Sequence, residues 1–197
     1  MPKFKGIKII AILCLVAFLF CGCNSFRLSS SIDDLISPIS PSGDNAGVQS
    51  AVDEYCKSGY SIKIPATGNY TTSFILKDID GDKINEAVAF YEPSNKVGTI
   101  SMAVIKKSGE RWSVIANVDG TATDVNSVDF CDFNNDGKME IIVCWSVVSK
   151  QTGTSINVYS QNENDNKYSL KSVSKAITGS NFICVDANDD GVMELLV

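Results

Sequence analysis

The sequence contains no histidine. That absence removes the commonest general base, the Ser–His and Cys–His nucleophile pairs, and the usual zinc ligand. Carboxylate chemistry stays open. Basic residues are scarce too, 17 Lys and Arg against 23 Asp and Glu. An acidic chain without basic stripes argues against a nucleic-acid partner. The apolar stretch from Ile9 to Phe20 is twelve residues, too short for a bilayer-crossing helix, which needs about 20.

That stretch follows Lys3, Lys5 and Lys8 and runs into Phe20-Cys21-Gly22-Cys23, so residues 1–22 read as a signal peptide. A small residue directly before a cysteine resembles a bacterial lipobox. Cys23 is then the expected lipidation site, because cleavage before Cys21 would place bulky Phe20 at the cut. Two acyl chains anchor stably where one is marginal. The expected location is the extracytoplasmic face of a cell membrane, and the membrane is the first expected partner. An ordinary secretory signal is the alternative.

Without Lys3, Lys5 and Lys8, 14 basic residues face 23 acids, a formal charge of −9. Beyond Cys23, four cysteines remain, Cys56, Cys131, Cys144 and Cys184, at no metal-binding spacing. The last three stand in apolar runs and read as buried thiols. A disulfide stays open outside the cytoplasm, with no pairing chosen.

What the chain does have is three acidic turns. They read Asp78-Ile-Asp80-Gly-Asp82-Lys-Ile-Asn-Glu86, Asp132-Phe-Asn134-Asn-Asp136-Gly-Lys-Met-Glu140 and Asp186-Ala-Asn188-Asp-Asp190-Gly-Val-Met-Glu194, starting 54 residues apart both times. Eleven of the 23 acids lie in them. Carboxylates packed so closely repel unless protonated or bridged by a cation. Each turn puts oxygen side chains at positions 1, 3, 5 and 9, the spacing of a loop wrapped around a hard ion such as Ca²⁺. The expected side-chain ligands are Asp78, Asp80, Asp82 and Glu86; Asp132, Asn134, Asp136 and Glu140; Asp186, Asn188, Asp190 and Glu194. Backbone oxygens are expected from Ile84, Lys138 and Val192. An EF-hand loop opens the same way but needs a glutamate at position 12, where this chain has Ala89, Val143 and Val197. Hairpin turns without metal are the plainer alternative.

Residues 23–47 are rich in Ser, Pro, Asp and Gly and read as a tether. A short helix and a strand follow over 48–71, the helix capped by Asp44 or Asn45 with Val48, Val52 and Tyr55 on one face. Repeats fill 72–125, 126–179 and, in part, 180–197. Each unit is an apolar strand, the acidic turn, an exit strand apolar at consecutive positions, an alternating strand and an aromatic-led strand. Four strands per unit with tight turns imply an all-β array of blade-like antiparallel sheets, an incomplete propeller-like fold. Trp112 and Tyr168 hold matching places and are expected to pack between neighbouring sheets. The third unit stops one strand after its turn, which reads as a partial chain or as an edge covered by something else.

These turns and the aliphatics after them resemble FG-GAP and VCBS-type repeats over roughly Thr72 to Val197, most of all their lipid-anchored bacterial versions. The resemblance implies Ca²⁺ as cofactor and a β-propeller-like fold. The first turn departs from the pattern, with Lys83 at position 6, where the others have Gly137 and Gly191, and Gly81 at position 4. That predicts weaker binding there, because position 6 often needs a positive φ.

The leading functional expectation is a non-enzymatic, calcium-stabilised surface module that binds a cell-surface protein or glycan. One alternative is a carboxylate enzyme acting on glycans, with Glu92, Glu110, Asp119, Asp124 and Asp129 as candidates outside the turns. Another is the N-terminal piece of a longer repeat protein with no function of its own.

Overall fold

The structure, a computed structural model, describes residues 43–120, 122–147, 153–162, 169–172, 177–179 and 181–197. The signal segment, Cys23, most of the tether and Tyr168 lie outside the described residues. Among the described residues no helix is long and apolar enough to cross a membrane.

Helix α1 spans Asp44–Tyr55 behind Gly43, whose φ of 62 turns the chain into it without a side-chain cap. Asp44 is the first helical residue, not the cap, and four residues that read as tether are helical. An acid in the first turn suits the positive end of the helix dipole. Val48 and Val52 are fully buried with Ala51, but Tyr55, expected on the same face, is 51% exposed. Gly47 lets the helix approach closely, since a Cβ there would sit 2.3 Å from Trp112 Cδ1.

The first sheet holds β1 (Tyr60–Lys63), β2 (Ile75–Lys77), β3 (Glu86–Pro93), β4 (Ile100–Ser108) and β5 (Arg111–Gly120), all antiparallel. β1 and β2 lie end to end along β3, Tyr60–Lys63 opposite Pro93–Phe90 and Ile75–Lys77 opposite Val88–Glu86. The strand ahead of the repeats therefore completes the first blade. The second sheet runs β6 (Asp124–Cys131), β7 (Glu140–Ser146) and β8 (Thr154–Asn162), with β9 (Ser169–Ser172) and β10 (Ile177–Thr178) both paired to β8. β11 (Ile183–Val185) and β12 (Glu194–Leu196) form a separate hairpin. The expected all-β, blade-like antiparallel architecture is what the chain adopts, as open sheets.

Exit strands are apolar at consecutive positions because both their faces are covered. From β3, Val88 and Phe90 point into a core shared with Ile141, Val143 and Trp145 of β7, while Ala87, Ala89 and Tyr91 point toward α1. From β7, the opposite face sends Ile142 and Cys144 toward Cys184, Met193 and Leu195 of the third hairpin region. The layers therefore run α1, first sheet, second sheet, third hairpin. The helix takes the place a preceding sheet would have, as a capping element does in a repeat array. Trp112 is buried against that helix, not between two sheets as expected. Phe90 and Trp145 meet edge-on across the two sheets, centroids 5.7 Å apart. All four described cysteines are free thiols; Cys131 and Cys144 are buried, and burial pushes Cys184 up to about 12.

Candidate metal centre

Each acidic turn joins an entry strand to an exit strand with the same closing pair: Lys77 opposite Glu86, Cys131 opposite Glu140, Val185 opposite Glu194. The position-9 glutamate thus stands on the first residue of the exit strand and folds back over its own turn. Its Oε2 accepts the position-2 amide, from Ile79 at 3.0 Å, Phe133 at 3.0 Å and Ala187 at 2.8 Å. Position 1 accepts the position-6 amide: Lys83 to Asp78 at 2.9 Å, Gly137 to Asp132 at 2.9 Å, Gly191 to Asp186 at 2.8 Å. Position 5 accepts the position-7 amide at 2.8 Å in all three, from Ile84, Lys138 and Val192 to Asp82, Asp136 and Asp190. The side-chain oxygens of Asp80, Asn134 and Asn188 accept the position-5 amides at 3.3, 3.0 and 3.0 Å.

One backbone shape underlies this pattern. Position 6 has positive φ throughout, 70 at Lys83 and 84 at Gly137 and Gly191. Position 4 does too, at Gly81, Asn135 and Asp189. Lys83 therefore makes the glycine's turn and its hydrogen bond, so the first turn is not misshapen by the missing glycine. Gly81 has a different reason to be there: a Cβ on it would lie 2.5 Å from the Gly137 carbonyl oxygen of the next turn. Neighbouring turns touch elsewhere as well. Met139 N–H donates to Ile79 O at 2.8 Å, Gln161 Nε2 to the same oxygen at 3.1 Å, and Asn135 Nδ2 to Gly191 O at 3.2 Å. The three turns form one row.

The first turn gathers carboxylates most closely: oxygens of Asp78, Asp80 and Glu86 all lie within 4.8 Å of one another. Asp82 stands outside that trio. Glu86 is fully buried, and its Oε1 has no hydrogen-bond partner. Burial pushes its carboxyl above the ordinary range and Asp80 adds to this, against the pull of the Ile79 amide and Lys106. Glu140 is raised in the same way, by burial first and then by Asp136 and Asp132. In the second and third turns the position-3 amide is turned onto position 5, Asn134 Nδ2 to Asp136 Oδ2 and Asn188 Nδ2 to Asp190 Oδ2, both 3.1 Å.

Sequence reasoning missed Lys106 on β4. Its ammonium contacts Asp80 Oδ2, lies 2.8 Å from Asp82 Oδ2 and pairs with Glu86 Oε1 at 3.2 Å. Partial burial works against its charge, yet the three acids hold it above the ordinary lysine range. The same lysine holds the Asp82 carboxyl below its usual range. The 54-residue interval was the available signal, because it sets Lys106 against Ser160.

Of the candidate acids outside the turns, Glu110 is exposed in the β4–β5 turn and the other four are occupied otherwise. Glu92 pairs with Lys63 and accepts the Gly98 amide; Asp119 accepts Lys96, Ser101 and Asn117. Asp124 and Asp129 accept the amides of the residues that follow them. Asp119 is the lone carboxylate lining a cavity of about 150 Å³ beside Trp145 and Tyr159.

Stacked antiparallel sheets with one acidic turn per unit define a β-repeat protein of the blade type. Residues 78–143 match the model of the FG-GAP-like repeat family, a span that starts on the first turn and ends within β7. No curated protein and no solved structure matches the chain. The all-oxygen donor set of the turns suits a hard divalent cation, and among the described residues the buried Glu86 Oε1 has no polar partner beyond its 3.2 Å ion pair with Lys106.

Proposed function

We propose that this chain is a cell-surface, lipid-anchored β-repeat module without catalytic activity, stabilised by calcium bound in its acidic turns. The observation that carries the reading is the folding-back of all three position-9 glutamates onto turns of one hydrogen-bonded shape. Position 1, 3, 5 and 9 oxygens, with the carbonyls of Ile84, Lys138 and Val192, would hold the ion. Bound calcium would neutralise carboxylates that burial and mutual repulsion otherwise penalise. Extracellular modules of this kind bind at about 10⁻⁴–10⁻³ M. The surface ligand, protein or glycan, would meet the turns or sheet faces.

The test is calorimetric titration with Ca²⁺ and with Mg²⁺, beside thermal melting with and without chelator. Calcium should release heat and raise the melting temperature, with magnesium doing neither. No heat and no shift in melting would leave plain hairpin turns. For the anchor, Cys23→Ser should move the protein from the membrane to the soluble fraction and end incorporation of labelled fatty acid.

A further inference from the structure

The first acidic turn differs from the other two by a pair of changes that answer each other. Position 3 is a carboxylate, Asp80, where the later turns have the amides Asn134 and Asn188; and β4 carries Lys106 where β8 carries Ser160. The β3–β4 ladder sets Ile105 opposite Ala87, as the β7–β8 ladder sets Tyr159 opposite Ile141. The next residue along therefore stands over the position-9 glutamate. There the Lys106 ammonium contacts Asp80, Asp82 and Glu86 together. It holds Asp82 Oδ2, the counterpart of the position-5 oxygen that the asparagine amide holds in the second and third turns. Its ion pair at 3.2 Å is the one polar contact of the buried Glu86 Oε1 among the described residues. Four carboxylates and one ammonium leave the first ligand set at −3, the formal charge of Asp132, Asp136 and Glu140 in the second.

We propose that Lys106 is a tethered cation that closes the first turn without metal, so that a divalent ion enters this turn only by displacing the ammonium, after the second and third turns have filled. This rests on the reading of the turns as calcium sites. An ammonium and a divalent ion cannot share three oxygens a few ångströms apart, because their repulsion is largest where the dielectric is low. The chain would then carry two metal-dependent turns and one with its own counter-charge.

The turns can be followed separately, because each has one glycine with an amide hydrogen-bonded to its position-1 aspartate: Gly81, Gly137 and Gly191. Calcium chloride is titrated into the whole mature chain while these three amide resonances are recorded. Gly137 and Gly191 should move first, and Gly81 at calcium concentrations at least about tenfold higher. Lys106→Gln should bring the Gly81 midpoint down by about the same factor. In chelator the variant should melt below the unsubstituted chain, and calcium should close the gap. The double variant Asp80→Asn with Lys106→Ser copies the chemistry of the second turn and guards against misfolding of the single one. Its Gly81 midpoint should fall to within about threefold of that of Gly137.

Gly81 titrating with or ahead of Gly137 in the unsubstituted chain would overturn the proposal, as would an unchanged midpoint in both variants. If calcium moves none of the three glycines, the calcium reading fails and displacement with it. The lysine's role as the turn's own cation is then decided by the metal-free melt of Lys106→Gln, upheld if it is lower and lost if it is equal.

Discussion

The first and second sheets share a strand order, an acidic turn and an exit strand buried on both faces, yet they are closed off by different means. The first has α1 across its outer face and the Lys106 ammonium in its turn. The second meets the first sheet on one face and the small third hairpin on the other, and Ser160 stands where the lysine would be. The difference teaches that one repeat can be closed by a helix and a lysine where its neighbour, on the calcium reading, would depend on packed sheets and a bound ion. On this view the first sheet is the more self-sufficient half.

The largest effect should come from the surface the two halves share. Trp145 is almost fully buried and meets Phe90 edge-on, so Trp145→Ala should cost about 3–5 kcal/mol in urea unfolding. Amide exchange should then quicken in both sheets. Trp112→Ala strips the contact beneath α1, and its effect should stay with the first sheet. If Trp145→Ala loosens the second sheet alone, the halves are independent and the shared core is not what joins them.

Calcium should separate the halves next. At a free concentration about a hundredfold above its dissociation constant, each ion that binds only the folded state adds about 2.7 kcal/mol. Chelation should therefore deprotect β6, β7 and β8 in hydrogen exchange while β3, β4 and β5 keep most of their protection. Equal deprotection of both sheets would break the comparison.

Much of this architecture was legible because period-two patterning and a fixed repeat interval are written in consecutive residues. The exit strands EAVAFY and EIIVCW announce burial on both faces, and the turns announce their own shape. What covers a face is not local information. Trp112 could be recognised as a core residue, but whether a sheet or a helix covered it depended on Gly47, 65 positions earlier. The four residues before Val48 looked like linker, since Asp, Asn and Gly serve helix starts and loops alike. Lys106 was hidden for a similar reason: in a strand it reads as an ordinary exposed charge, and only the β3–β4 register brings it over Glu86.

Two glycines with nearly equal φ, 79 at Gly81 and 84 at Gly137, give a finer test of how the turns are joined. Alanine at Gly137 would enter open space, leaving only the left-handed backbone penalty of roughly 1–2 kcal/mol. Alanine at Gly81 would also press on the Gly137 carbonyl, adding about 1–3 kcal/mol. The melting temperatures in chelator should rank Gly137→Ala above Gly81→Ala. Equal losses would mean that the first and second turns are not packed in contact.

The smallest effect is one of sign, and it concerns the two buried glutamates. Glu86 and Glu140 both have carboxyls held above the ordinary value of 4.5, with burial the leading cause. An acid whose folded pKa is raised binds its proton more tightly in the fold, so its contribution to stability declines as pH rises from about 4.5 through the folded value. The carboxyls lowered in the fold, Asp44, Asp82, Glu92 and Asp119, act in the opposite sense, but at and below their ordinary values of 3.8 to 4.5. As pH rises above about 4.5 the metal-free protein should therefore lose stability through these two groups. With calcium bound the slope should reverse, because the ion requires these carboxylates ionised and protons compete with it. Glu140→Gln should flatten the metal-free slope and abolish calcium binding at the second turn, leaving the Gly81 resonance responsive. A metal-free melting temperature that climbs across the same pH range would mean that the position-9 glutamates are ionised at no cost in the fold, and that their turns have no need of an ion.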